Sequence, residues 1–113
     1  MPDKSSLKHQ LREILLKHQG RARAITGQEL AQMLGEPNDR SIRLAIRKFI
    51  TGGLPIASSN EAPAGYFLVA TWEEARRYAD SIKGRLIEDA IRRRDFNRSA
   101  ALYLKAAEQG RLV

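Results

Sequence analysis

Four cations recur within nine residues of this chain, at Arg40, Arg43, Arg47 and Lys48. A guanidinium holds a phosphate, or forms two parallel hydrogen bonds to the O6 and N7 edge of guanine, and an ammonium adds a point charge. Such chemistry needs the cations aligned on one exposed face. The intervening residues supply that alignment. Ile42, Ala45, Ile46 and Phe49 follow the i, i+3, i+4, i+7 spacing of a helix that packs one stripe on a core. At about 100° per residue, Arg40, Leu44, Arg47 and Thr51 fall on the opposite side, flanked by Arg43 and Lys48. Asn38 or Asp39 is suited to accept from the first-turn N–H groups, and Gly52-Gly53 suits a helix stop. The stretch 38–53 therefore reads as one helix, apolar on one face and basic on the other.

Composition narrows the partners. The chain has 113 residues, a net charge of +7 and a pI near 10.2, which favours an anionic partner, nucleic acid before membrane surface. The excess is distributed: residues 1–71 hold 10 Lys/Arg against 6 Asp/Glu, and residues 72–113 hold 10 against 7. A basic tail alone does not account for it. There is no cysteine, hence no disulfide, thiolate metal site or cysteine nucleophile. His9 and His18 are nine residues apart on one expected helix, roughly opposite each other, and cannot share a metal from it. Glu73-Glu74 and Glu88-Asp89 are adjacent pairs whose members face different ways, and no Gly-rich phosphate loop is present. No catalytic residues, metal or cofactor are expected, and the chain does not read as an enzyme. No signal core or membrane-length apolar run is evident, and a cytoplasmic protein is expected, in a bacterial cytoplasm or nucleoid.

The elements around the basic helix can be placed from punctuation and period. Residues 5–19 read as a first helix with Leu7, Leu11, Ile14 and Leu15 as its stripe, Ser5 or Ser6 as cap and Gly20 as stop. Arg21 to Ile25 reads as a small strand with the arginines outward and the alanines inward. Thr26-Gly27-Gln28-Glu29 is a capping box that starts a second helix, whose apolar set is Leu30, Ala31, Met33 and Leu34. Gly35 closes it and Pro37 prevents continuation. After the third helix, residues 54–59 and 66–69 are two short extended runs around a turn-rich loop, a β-hairpin. Thr71-Trp72-Glu73-Glu74 is a second capping box. It opens a long helix to about Arg94, followed by a last helix from about Arg98 to Gln109. One continuous kinked helix is the alternative. Trp72 is expected in the core, filling the junction between hairpin and helix.

The stretch from Ile25 to Val69 resembles a bacterial winged helix-turn-helix. It is similar to N-terminal domains of the biotin-operon repressor type and to short phage or prophage DNA-binding or replication proteins. The residues that carry the resemblance are Thr26-Gly27-Gln28-Glu29-Leu30-Ala31 with Leu34-Gly35, then Asp39-Arg40, Ile42-Arg43 and Ala45-Ile46, then Gly53-Leu54-Pro55-Ile56 and Gly65-Tyr66-Phe67-Leu68. The fold class it implies is α+β, mostly α: three helices plus a hairpin wing in residues 1–71, followed by a C-terminal helical extension over 72–113. The function it implies is sequence-specific binding of double-stranded DNA, as a transcriptional regulator or replication-origin factor, with residues 39–51 in the major groove. The residues expected to touch DNA are Gln28, Asn38, Arg40, Ser41, Arg43, Arg47, Lys48 and Asn60. The loop from Ser58 to Gly65 departs from a phosphate-gripping wing, since it lacks Lys and Arg and includes Glu61. Because the fold also serves protein–protein contacts, an interaction module that uses the C-terminal helices is the alternative.

The extension carries its own signal. Trp72, Ala75, Ala79, Ile82 and Leu86 form a seam of roughly 3.5-residue spacing, interrupted beyond by Gly84, Asp89 and Arg93. With Phe96, Leu102, Tyr103 and Leu104 it lies beyond what a compact winged helix covers. A homodimer through these helices is the closed solution expected. Arg92-Arg93-Arg94 with Arg98 either reaches flanking phosphates or is solvated helix surface.

Overall fold

The computed structural model describes residues 4–110, with the side chains of residues 4 and 5 excepted. It is α+β and mostly helical, in the order α1 (Lys4–Lys17), a 3-10 turn (Arg21–Arg23), α2 (Gly27–Met33), α3 (Arg40–Thr51), β1 (Ile56–Ser59), β2 (Gly65–Leu68) and α4 (Trp72–Glu108). Two compact units make up the chain, Met1–Tyr78 and Ala79–Val113.

In the first unit, Leu11 and Leu15 of α1, Leu30 and Ala31 of α2, and Ile42, Ala45 and Ile46 of α3 meet Ile25, Ile56 and Leu68 in one buried cluster. Phe49, Leu54 and Tyr66 pack against its edge. The i, i+3, i+4 stripe on α3 thus faces inward, because it is the helix's only continuous apolar surface. The strands pair antiparallel, Ile56 opposite Leu68 and Ser59 opposite Gly65. Among the described residues the sheet has these two strands, and its outer side is extended by backbone bridges from the segment between α1 and α2. Ile25 and Tyr66 exchange both backbone hydrogen bonds, at 2.9 and 2.7 Å, and the Gly20 N–H donates to the Leu68 carbonyl at 2.8 Å.

The Thr26–Glu29 capping box forms in both directions, with the Glu29 N–H donating to Thr26 Oγ1 at 3.1 Å. Gly35 follows α2 at φ +71° and Gly53 follows α3 at φ +104°, the left-handed conformations expected of glycine stops.

Several expectations are corrected. Arg21 to Ile25 is not a strand: the first three residues form a 3-10 turn and only Ile25 bridges to β2. Ala22 is exposed, because a turn of three residues rotates side chains off the two-residue alternation of a strand. Helix α1 already begins at Lys4, so Ser5 and Ser6 lie within it, and it ends at Lys17, before Gly20. Met33 is exposed at the end of α2. Trp72 is 82% exposed rather than core, and the buried cluster is complete without it. Residues 72–108 are one helix, not two. Asp95 and Asn97 lie inside it as ordinary helical residues, with no Gly or Pro nearby to break the chain of backbone hydrogen bonds.

Two substitutions test this core. Ile46→Asp places a charge at a site 4% exposed without a partner, and should unfold the first unit. Circular dichroism should show lost helix and an abolished cooperative transition. Gly65 has φ +126°, and a Cβ there would collide with the Ile25 carbonyl and the Thr26 nitrogen. Gly65→Ala should therefore cost about 3 kcal/mol or more in urea unfolding.

Candidate functional site

The basic face of α3 is built as its apolar stripe requires. With Ile42, Ala45 and Ile46 buried, Arg40, Arg43, Leu44, Arg47, Lys48 and Thr51 are all exposed. Asp39 occupies the residue before the helix, but its carboxylate caps no N–H. Asn38 Oδ1 instead accepts from the Arg40 N–H at 3.0 Å. The free Asp39 carboxylate turns to Arg43, one turn on, at 3.6 Å. Both groups are substantially exposed, so this pair is worth only a few tenths of a kcal/mol. It leaves Arg43 available to a stronger anion. No ion pair involves Arg40, Arg47 or Lys48 among the described residues.

Asp39 also marks a close approach between elements. A Cβ on Gly27 would meet Asp39 Cβ and Oδ2 at 3.2 Å and the Tyr66 ring at 3.4 Å. The start of α2, the start of α3 and strand β2 thus converge at a point with no spare volume. Burial pushes the Tyr66 phenol up from its ordinary value, the Asp39 charge adds to this, and Arg43 opposes it.

The expected contact residues divide into two sets. Asn38, Arg40, Ser41, Arg43, Arg47 and Lys48 lie together on α3 or at its start, with Ser41 half-buried and the others exposed. Gln28 is exposed in the first turn of α2, and Asn60 is exposed in the hairpin loop. No hydrogen bond or ion pair joins either of these to α3 among the described residues.

Arg21 has a role that local sequence does not reveal. The hairpin loop lacks a cation of its own, and Arg21 brings one from far upstream. Its Nη2 lies 2.6 Å from Glu61 Oε2, and its Nε–H donates to Ser59 Oγ at 3.4 Å. Ser59 Oγ in turn accepts the Glu61 N–H at 3.2 Å. The backbone N–H of the same Arg21 donates to Glu74 Oε2 at 2.8 Å, while the Ala70 N–H donates to Glu74 Oε1 at 2.9 Å. The Thr71 hydroxyl accepts the Glu74 N–H at 3.1 Å, so the second capping box forms its forward bond. The Glu74 carboxylate thereby ties Ala70, just ahead of α4, to the distant Arg21. The only signal in the sequence was charge type: two arginines, Arg21 and Arg23, in one connector and an isolated Glu61 in another.

His18 lies just beyond α1, off the helix that carries His9, and its Nδ1 is 2.7 Å from the Arg23 carbonyl and must be the donor. His9 is exposed on α1. Among the described residues no three His, Asp or Glu side chains converge as metal ligands, and no helix is long and apolar enough to cross a membrane. Comparison of the chain with known protein families, with curated proteins and with solved structures finds no match.

Glu74 yields an acid-stability prediction. The backbone N–H of Arg21, then that of Ala70, holds its carboxyl below the ordinary value of 4.5. A depressed folded-state value contributes stability that is complete above the unfolded value and is lost as pH falls through the folded one. Glu74→Gln should lower the urea midpoint at pH 7. The gap from wild type should narrow steadily as pH drops below about 4.5. A gap independent of pH would show that the carboxylate charge plays no part.

Proposed function

We propose that this chain is a DNA-binding protein of winged helix-turn-helix type. In this reading α2 and α3 form the helix-turn-helix, α3 lies in the major groove, and the β1–β2 hairpin is the wing. The observation that carries the reading is the division of α3 into a buried stripe and an exposed face. That face holds Arg40, Arg43, Arg47 and Lys48, with a single weak acidic neighbour. The order of elements supports it: three helices and an antiparallel hairpin share one core, with α3 packed on α2 and leading into β1. The net charge of +7 supports an anionic partner. Arg40, Arg43 and Arg47 would supply base-edge or phosphate contacts. Asn38, Ser41, Lys48 and Gln28 would serve at the margins of the groove, and Asn60 would serve at the wing tip. The wing's role is minor, because Arg21 is engaged in neutralising Glu61. A transcriptional or replication-origin role would follow from sequence-specific binding. A bacterial cytoplasmic setting fits it.

A second reading has its own observation. Leu86, Phe96, Leu102, Tyr103 and Leu104 are all more than half exposed on α4, as an interaction module would require.

A mobility-shift titration across a salt series, with sites selected from random duplexes, separates the two. DNA binding with a steep salt slope and a preferred sequence supports the first. Absence of binding at low salt selects the second. Arg43→Ala and Arg47→Ala should leave the unfolding transition in place. Each should weaken selected-site binding by about 1–3 kcal/mol where the side chain reads a base, or lower the salt slope by about one where it holds phosphate. If both variants bind as wild type does, the assignment of α3 to the groove is wrong.

A further inference from the structure

Over its described residues the second unit is a solvated helix whose apolar side chains have no cover within it. Between residues 79 and 103 the heptad positions that would form a seam are Ala79, Ile82, Leu86, Asp89, Arg93, Phe96, Ala100 and Tyr103. This is about three and a half heptads, the length at which such a repeat marks a coiled coil. Ile82, Leu86, Phe96 and Tyr103 are between 39% and 69% exposed along it. The two central positions, Asp89 and Arg93, are charged with opposite signs and are successive positions of the seam. Among the described residues Asp89 pairs with Arg92 alone, at 3.9 Å and with both groups in water. No ion pair is recorded for Arg93 among the described residues.

We propose that residues 79–103 of α4 pair with a second copy of this chain as an antiparallel two-stranded coiled coil, with the two-fold axis level with Ile91. Charge decides the orientation. In a parallel pair Asp89 faces Asp89 of the partner subunit and Arg93 faces Arg93 of the partner subunit, two like-charge layers in succession. In the antiparallel pair Asp89 faces Arg93 of the partner subunit, and the two-fold axis repeats the contact. The same register then fixes every outer layer. Leu86 meets Phe96 of the partner subunit, Ile82 meets Ala100 of the partner subunit, and Ala79 meets Tyr103 of the partner subunit. The two outermost layers each match a large side chain with a small one, as an evenly spaced helix pair requires. Ala90 lies beside the axis, where a small residue lets the backbones approach. Gly84 falls on the outer surface, where a Cβ would meet nothing, so it costs helix propensity but no packing. Ile87, Ile91 and Leu102 point away from this contact. Asp89 and Arg93 therefore act as the register device of the seam. A desolvated ion pair adds little net stability, but it strongly penalises every alignment that leaves the charges unmatched. The inference does not depend on DNA binding by the first unit, and the two are tested separately.

Sedimentation equilibrium of the full chain at micromolar concentration, with helicity checked by circular dichroism, should give a dimer mass. Asp89→Arg and Arg93→Asp should each raise the dissociation constant about tenfold or more, and an equimolar mixture of the two variants should restore wild-type association. The chain has no cysteine, so single thiols report geometry without background. Ile82→Cys and Ala100→Cys chains, mixed and oxidised, should form a covalent heterodimer, whereas Ile82→Cys alone should not cross-link. A monomer mass for wild type, unaltered association of Asp89→Arg, or efficient cross-linking of Ile82→Cys with itself would each overturn the proposal.

Discussion

The first unit depends on a backbone contact that only glycine permits. Ile25 and Tyr66 exchange two hydrogen bonds, and the chain can approach this closely because Gly65 has no Cβ to strike the Ile25 carbonyl. The consequences run in three directions. The bridge holds the connector between α1 and α2 as an added edge of the hairpin, so its backbone polar groups find partners without a third full strand. It sets Thr26 at the position from which its hydroxyl caps α2. It also brings the Tyr66 ring against Gly27 and Asp39, where the first turns of α2 and α3 meet. The placement of α3, and so of its basic face, follows from these contacts and from the buried stripe of Ile42, Ala45 and Ile46.

Arg21 and Glu74 form a second tie that complements the first. The Arg21 side chain holds the hairpin loop through Glu61 and Ser59, while its N–H is held by the carboxylate at the start of α4. Glu61 stands in water and Arg21 is half-buried, so the side-chain pair contributes little energy by itself. Its value is geometric, since one residue links the 3-10 turn, the hairpin loop and the first turn of α4. The cation most able to grip an anion at the hairpin is thereby occupied inside the protein. For that reason the proposed DNA contact rests on α3.

Charge has different uses in the two units. On α3 the cations are segregated on one face with a single exposed acid beside them, which leaves a field directed outward. On α4 acids and bases alternate with apolar residues around the helix, and the second unit offers no core to receive the apolar ones. A surface of that kind is poorly suited to solvent and well suited to another helix. The dimer proposal and the DNA proposal thus concern separate parts of the chain and rest on separate observations.

Local signals were sufficient wherever a single element decides its own state. The Thr26–Glu29 box, the glycine stops after α2 and α3, the hairpin and the two faces of α3 were all readable, because capping, left-handed backbone and side-chain periodicity are properties of adjacent residues. The sequence likewise determined that the exposed face of α3 would be basic, because burial of Ile42, Ala45 and Ile46 leaves the arginines no other side. What it could not determine depended on partners distant along the chain. A run such as Arg21 to Ile25 alternates like a strand, yet it becomes a turn because only Ile25 meets β2. Trp72 is apolar enough for any core, yet the packed cluster of the first unit closes without it and leaves it in water. The joining of Arg21 to Glu61 and Glu74 was decided by tertiary structure, whereas α4 runs on through Asp95 and Asn97 because no Gly or Pro breaks it there. Exposed ion pairs are worth so little locally that long-range packing decides which of them form.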